Sequence, residues 1–279
     1  MTEADLERAI EANVSAALAE DLGSGDLTAA LIPADRRAVA TLVTREDAIL
    51  CGLPWFEACF RRLDDSVSFR WKAREGAAVA AGSVLCEIEG MARALLSAER
   101  PALNFLQTLS AVATATRRYV EAVRGTRAVI MDTRKTLPGL RIAQKYAVKV
   151  GGGVNQRVGL FDGILIKENH IAAAGGIREV LAAARRLAPP GVPVQIEVEN
   201  LAELEQALEA GAGLILLDNF SLEDLRTAVH RTAGRAALEA SGGITLDNVR
   251  AVAETGVDRI SVGSLTKNVR AVDLSLRIT

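Results

Sequence analysis

Several features that would place a chain quickly are scarce in these 279 residues, and each scarcity narrows the choice. Cysteine occurs only as Cys51, Cys59 and Cys86, with no CxxC or other ligand spacing, so neither a zinc module nor a disulfide framework is indicated. The three read as reduced core filler in a cytoplasmic protein. No apolar run approaches the ~20 residues that a membrane-spanning helix needs. The opening MTEADLERAI is acidic and amphipathic, without the basic-then-apolar pattern of a secretory signal. Aromatic residues are 4% of a composition that is 49% hydrophobic, which leaves Ala, Val, Leu and Ile to build the core, as in helix-rich α/β proteins with parallel strands. The net charge is only −2, whereas a nucleic-acid binder is expected to be basic overall. These absences point to a soluble cytoplasmic protein with no nucleic-acid or membrane partner. Its length allows one large or two medium domains.

What is present is a local concentration of positive charge. The stretch from Asp132 to His170, DTRKTLPGLRIAQKYAVKVGGGVNQRVGLFDGILIKENH, holds Arg134, Lys135, Arg141, Lys145, Lys149, Arg157 and Lys167. Cations gathered on a near-neutral background suggest a pocket for a small polyanion.

Two textures divide the chain. Residues 1–110 open with a helical segment, Leu6 to Glu20, then the turn GSGD at 23–26 and Pro33. The alternating segments AVATLVTRE and SVSFRWKARE predict strands, and REGAAVAAGSVLCEIEG has a glycine-punctuated hairpin rhythm. A long helical period follows to about residue 123, with Pro101 expected to kink or break it. This is an α+β module, to which the tail at 269–279, with its alternating AVDLSLRIT, is expected to return. Residues 111–268 form the second domain, and from about residue 126 its rhythm becomes strand, loop, helix. Six strands are predicted, at 128–132, 163–167, 194–199, 214–219, 237–241 and 259–263, which implies a parallel sheet. Six is short of a full eight-stranded barrel, so an incomplete barrel is expected. Each strand ends on a polar or small residue, and function at the carboxyl ends of parallel strands is the rule for such sheets.

Those ends carry the chemistry. Thr133, Arg134 and Lys135 offer a guanidinium fork and a point charge for a carboxylate or phosphate. Arg141, Lys145 and Lys149, spaced four apart on the next helix, read as a solvated face. Asn155-Gln156-Arg157 follows the Gly151–Gly153 cluster and presents another guanidinium. Lys167 ends an apolar strand where a cation is costly unless it is used or snorkels to the edge. Glu197 lies on one strand face with Glu199, and with Asp218 it suits sugar hydroxyls, a metal or a structural ion pair. Ser241-Gly242-Gly243 and the Gly263 loop close consecutive βα units and suit a phosphate. His170 has a structural and a functional reading, and His230 reads as solvated.

The motifs TRKTLPGLR, KYAVKVGGGVNQR, LIKENHI, IEVEN, LLDNF, EASGGI and GVDRISVGSLT resemble, in order, those of the quinolinate phosphoribosyltransferase family. EDLGSGDLT and LLSAERPALNFLQ resemble its N-terminal signatures, so the likeness covers nearly the whole chain. The resemblance implies an N-terminal sandwich joined to a seven-stranded incomplete barrel, the type II phosphoribosyltransferase fold, assembled as a homodimer or a higher oligomer. It also implies transfer of phosphoribosyl from phosphoribosyl pyrophosphate (PRPP) to quinolinate with decarboxylation, using Mg²⁺ carried with PRPP. By motif, Arg134, Arg157, Lys167 and a partner subunit's copy of Arg100 would hold the quinolinate carboxylates, with Thr133 and Gln156 beside them. Lys135 would lie near the diphosphate or ribose, and Glu197 and Asp218 on the ribose hydroxyls, directly or through Mg²⁺. Ser241, Gly242, Gly243 and Gly263 would hold the 5′-phosphate, and Lys135, Lys167, Glu197 and Asp218 would be catalytic. One position departs: many members read NHR where this chain reads Asn155-Gln156-Arg157, and Gln can donate a hydrogen bond but carries no charge. A sister phosphoribosyltransferase of the same fold (the molybdenum-transport-associated homologue), a Schiff-base aldolase built on Lys167 and a non-catalytic sugar-phosphate binder stay open at this point.

Overall fold

The computed structural model describes residues 2–278. In chain order it runs α1 (Glu3–Leu22), β1 (Arg37–Thr44), β2 (Ala48–Ile49), α2 (Leu53–Arg61), β3 (Ser68–Trp71), β4 (Ala78–Val79), β5 (Val84–Met91) and α3 (Ala92–Ala122). It continues with β6 (Val129–Met131), α4 (Arg141–Val150), β7 (Ile164–Ile166), α5 (Glu168–Ala174), α6 (Ile177–Leu187), β8 (Val194–Val198), α7 (Leu201–Glu209) and β9 (Leu214–Asp218). Last come α8 (Leu222–Thr232), β10 (Ala237–Ser241), α9 (Val249–Ala253), β11 (Arg259–Ser261), α10 (Ser264–Lys267) and β12 (Leu274–Ile278). Two compact units emerge. One holds residues 1–117, 136–152 and 265–279, and the other 118–135 and 153–264. The first therefore also takes in 111–117, 136–152 and 265–268, beyond the 1–110 and 269–279 that texture suggested.

In the first unit an antiparallel sheet is ordered β12-β1-β5-β3, with the tail strand paired residue for residue along β1 from Thr44↔Leu274 to Ala40↔Ile278. The expected hairpin does not form, because β4 pairs with β2 while β5 pairs with β1 and β3. Alternation in β1 and β5 turns Ala40, Leu42, Cys86 and Ile88 onto a core with Trp55, Phe56 and Phe60, all buried. Helix α1 starts on a capping box between Thr2 and Asp5, which satisfies two end groups of the helix. Helix α3 runs through Pro101 without the expected break. Proline removes one backbone donor, but Ala98, Ala102, Leu103 and Leu106 are buried around it, and that packing holds the helix.

In the second unit six parallel strands are ordered β6-β11-β10-β9-β8-β7. Val154 adds a single parallel bridge to Met131 beside β6, the remnant of a seventh strand. Period-2 alternation gives the sheet two faces. Ile196, Val198, Ile215, Leu217, Leu238 and Ala240 form an apolar layer, while Gln195, Glu197, Asp218, Glu239 and Ser241 share the opposite face. That second face is strongly curled. Gln195 on β8 and Glu239 on β10 are separated by β9, about 9–10 Å apart in a flat sheet. Their side chains nevertheless meet at 2.9 Å. Gln156, next to the Val154 bridge, reaches both of them across the interior. The result is an incomplete barrel with a polar lining.

Candidate active site

The second unit gathers its chemistry at the carboxyl ends of its strands. Ladder register sets the pairs: Ile166 lies opposite Ile196, so Lys167 follows beside Glu197, and Ser241 lies opposite Asp218. Lys167 Nζ donates to both oxygens of Glu197, at 2.9 and 2.8 Å, with the lysine half-exposed and the glutamate buried. The structural ion pair and the functional reading of these two residues therefore meet at the same place. A buried carboxylate is costly without such a partner.

Beside this pair stands Arg157. Its Nη1 donates to Gly163 O at 3.0 Å, while Nε is buried without a hydrogen-bond partner. Burial and the neighbouring Arg134 guanidinium push Arg157 below its ordinary value, and Asp162 and Glu197 oppose that shift. Arginine stays charged regardless, so two guanidiniums that repel each other mark a place for an anion. Asp162 clamps the loop, accepting from Val158 and Gly159 N–H at 2.9 Å each. Asp132 is fully buried and fixes the preceding turn, accepting from Gln156 N–H at 2.9 Å and Asn155 Nδ2 at 2.6 Å. Gln156 turns its amide nitrogen toward Gln195 Oε1 and Glu239 Oε1, at 3.3 and 3.5 Å, so its donor end faces the floor of the sheet.

The glycine ends are required by geometry. Gly242 has φ +96°, and a Cβ there would sit 2.1 Å from Asn219 Oδ1. Asn219 itself is left-handed at φ 56°, donates its N–H to Ser241 O and its Nδ2 to Asp218. A Cβ on Gly263 would press on Lys135 Cδ at 3.1 Å, so the lysine stem lies across that strand end. Thr133 Oγ1 accepts from Lys135 N–H at 3.0 Å and shapes the same turn. Gly243, at φ +60°, leaves its Cβ direction open.

Other expectations fall elsewhere. Lys145 is not on a solvated face: it is fully buried in the first unit, because Ala143, Ala147 and Val148 turn the same helix inward. Arg100 belongs to the first unit and is exposed for more than half of its side chain, 4.0 Å from Glu99. It lines a cleft of about 370 Å³ with Asn13, Glu20, Asp21, Asn104 and Gly139. His170 Nδ1 accepts the Lys167 N–H at 3.0 Å and caps α5, a structural role. All three cysteines are buried, and burial pushes Cys59 and Cys86 up to about 12. Sequence reasoning missed Glu239 and Gln195, although a charge or amide in the middle of the apolar runs ALEAS and VQIEVE was a visible signal. Among the described residues no group of three or more His, Cys, Asp or Glu side chains is placed to hold a metal, and no helix is long and apolar enough to cross a membrane.

Residues 26–110 match the N-terminal domain of quinolinate phosphoribosyl transferase, and residues 112–277 match its C-terminal domain. The chain belongs to the quinolinate phosphoribosyl transferase family. It is 44% identical over 270 residues to a nicotinate-nucleotide pyrophosphorylase (carboxylating) of Mycobacterium leprae, covering 93% of this chain and 94% of that one. It is 42% identical over 260 residues to a probable enzyme of the same name from Bacillus subtilis, covering 93% and 90%. A solved nicotinate-nucleotide pyrophosphorylase from Francisella tularensis superposes with a TM-score of 0.94 at 44% identity, covering 98% of this chain and 96% of that one. The family thus accounts for both units, the type II phosphoribosyltransferase fold and the order of the motifs along the chain.

Proposed function

We propose that the protein transfers phosphoribosyl from PRPP to quinolinate and decarboxylates the adduct, giving nicotinate mononucleotide, pyrophosphate and CO₂ for NAD biosynthesis. The observation that carries this reading is the meeting of two needs on one set of strand ends. Arg134, Arg157 and Lys167 suit a dicarboxylate, and the glycine ends at Gly242 and Gly263, with Lys135 laid across the latter, suit a phosphosugar. Relatives named for this reaction match both domains, which favours it over the sister transferase acting on another acceptor.

Chemically, the C1–O bond of PRPP breaks as the pyridine nitrogen forms its bond to C1, and the ring nitrogen becomes cationic. The bond from ring C2 to its carboxylate then breaks, its electron pair stays on C2 next to that cation, and a proton from water completes the product. The protein contributes position and charge. Lys167 begins on Glu197 and passes to the incoming carboxylate, which releases Glu197 to accept ribose hydroxyls beside Asp218. Ser241, Gly242, Gly243 and Gly263 take the 5′-phosphate, and Lys135 the diphosphate or ribose. Glu197 and Asp218 would hold Mg²⁺ brought with PRPP, and the ion would supply positive charge to the diphosphate. Glu197 and Asp218 on neighbouring strands suit an ion that takes one or two carboxylates and completes its shell with phosphate and water. Gln156 lies beside the carboxylate wall, and Thr133 shapes the Lys135 turn. A homodimer supplies Arg100 from one subunit to the other, and the enzyme works in the cytoplasm without nucleic-acid or membrane partners. Incubating the protein with quinolinate, PRPP and Mg²⁺ tests the proposal: nicotinate mononucleotide and CO₂ are expected in equal amounts, and absence of either product overturns it.

A further inference from the structure

Glu239 has no part in the chemistry just described, yet it is a carboxylate at 1% exposure inside the curled sheet. In the ladders it stands opposite Leu216 on one side and Arg259 on the other. Its hydrogen bonds come from two neutral amides: Gln195 Nε2 to Oε2 at 2.9 Å, and Gln156 Nε2 to Oε1 at 3.5 Å. An interior that only needed filling would be better served by another leucine, because burying a carboxylate on neutral donors costs stability. What the charge provides is direction. A carboxylate only accepts, so both glutamines must turn their NH₂ groups toward it. Gln195 is then left with its oxygen facing Gln156, and Gln156 Nε2 meets that oxygen at 3.3 Å. One buried charge therefore removes the two-fold ambiguity of two amides in succession.

We propose that Glu239 is a positioning residue for the carboxylate-binding wall, acting through Gln195 and Gln156 on Arg157. The Asn155–Arg157 turn is pinned through its backbone and through its side chains. Asp132 holds its backbone and the Asn155 amide, and the Gln195–Glu239 relay holds the Gln156 side chain. Arg157, next in the chain, carries its guanidinium on Gly163 O and keeps Nε buried and unpartnered, so its aim depends on where the turn sits. Removing the charge loosens the hold on the Gln156 side chain. The phosphosugar end rests on different residues, Asn219, Gly242 and Gly263, and is untouched.

The inference depends on the quinolinate reading above, and the test separates the two. Steady-state kinetics with both substrates are measured for the parent, Glu239→Gln, Gln195→Met and the double variant, with thermal unfolding of each as a check on folding. Glu239→Gln is expected to raise KM for quinolinate about tenfold, with KM for PRPP and kcat each within about twofold, the signature of lost positioning at one ligand. Gln195→Met breaks the same relay with Glu239 in place and is expected to give the same split, and the double variant no more than either single one. Unchanged quinolinate KM in whichever variants fold, or equal losses for both substrates, overturns the positioning role. A parent protein that makes no nicotinate mononucleotide overturns the quinolinate reading instead.

Discussion

Trp55, Phe56 and Phe60 are sealed in the first unit among other apolar side chains, whereas buried positions of the second unit hold Asp132, Gln195, Glu197 and Glu239. The rings of Phe60, Phe69 and Trp71 meet Phe56 tilted or edge-on, with centroids 5.0–6.4 Å from it. This is surface removed from water and packed to solid density. The lining of the curled sheet spends its burial differently. Asp132, Gln195, Glu197 and Glu239 are each held by another polar group there, and the sum is a set of fixed dipoles and charges below a cationic rim. One interior supplies stability, and the other supplies geometry. The contrast explains why so few aromatics suffice: both tryptophans, Trp55 and Trp71, lie in the first unit.

Substitutions can break that contrast from either side. The largest effect is expected from Lys167→Ala, which removes the ammonium proposed to meet the substrate carboxylate and takes away the partner of Glu197. kcat/KM for quinolinate should fall about a thousandfold, with a much smaller change in the unfolding midpoint. Phe56→Ala should do the reverse, costing about 3 kcal/mol in denaturant unfolding while the folded fraction keeps its KM values. Gly242→Ala drives a methyl group onto Asn219 and forces a left-handed alanine, and KM for PRPP should rise about tenfold while that for quinolinate stays near the parent value. A uniform loss for both substrates would sink that assignment.

The smallest effect concerns the thiols. Burial raises Cys59 and Cys86 from the ordinary 9.0 to about 12, so the folded protein holds protons that the unfolded chain releases in that window. Stability from this source is complete below 9.0 and declines as pH rises toward about 12. Alkylation of native protein should accordingly stay slow and nearly flat below 9.0, and rise only on unfolding. Rapid labelling of Cys59 in folded protein would contradict its burial.

The six parallel strands were legible because each is a short apolar run between glycine or polar punctuation, and Arg134, Lys135 and Lys167 were legible as candidate site cations because they end or follow such runs. Other features depend on partners far away in sequence. The pairing of Lys167 with Glu197 needs the β7–β8 register, and the burial of Lys145 needs the packing of α4, so spacing alone placed the latter on a solvated face. Val154 forms only one bridge and leaves no periodic trace. The passage of α3 through Pro101 is a tertiary outcome that local propensity opposes.

The Lys167–Glu197 pair also has a consequence for turnover. Lys167 and Glu197 neutralise each other, so a ligand that takes the lysine must bring enough negative charge to compete with the glutamate. Under the proposed mechanism quinolinate brings two carboxylates, and the mononucleotide made from it would lack the one that competes with Glu197. The glutamate would then recover its lysine as the product leaves, and loss of CO₂ would act as a release signal as well as a chemical step.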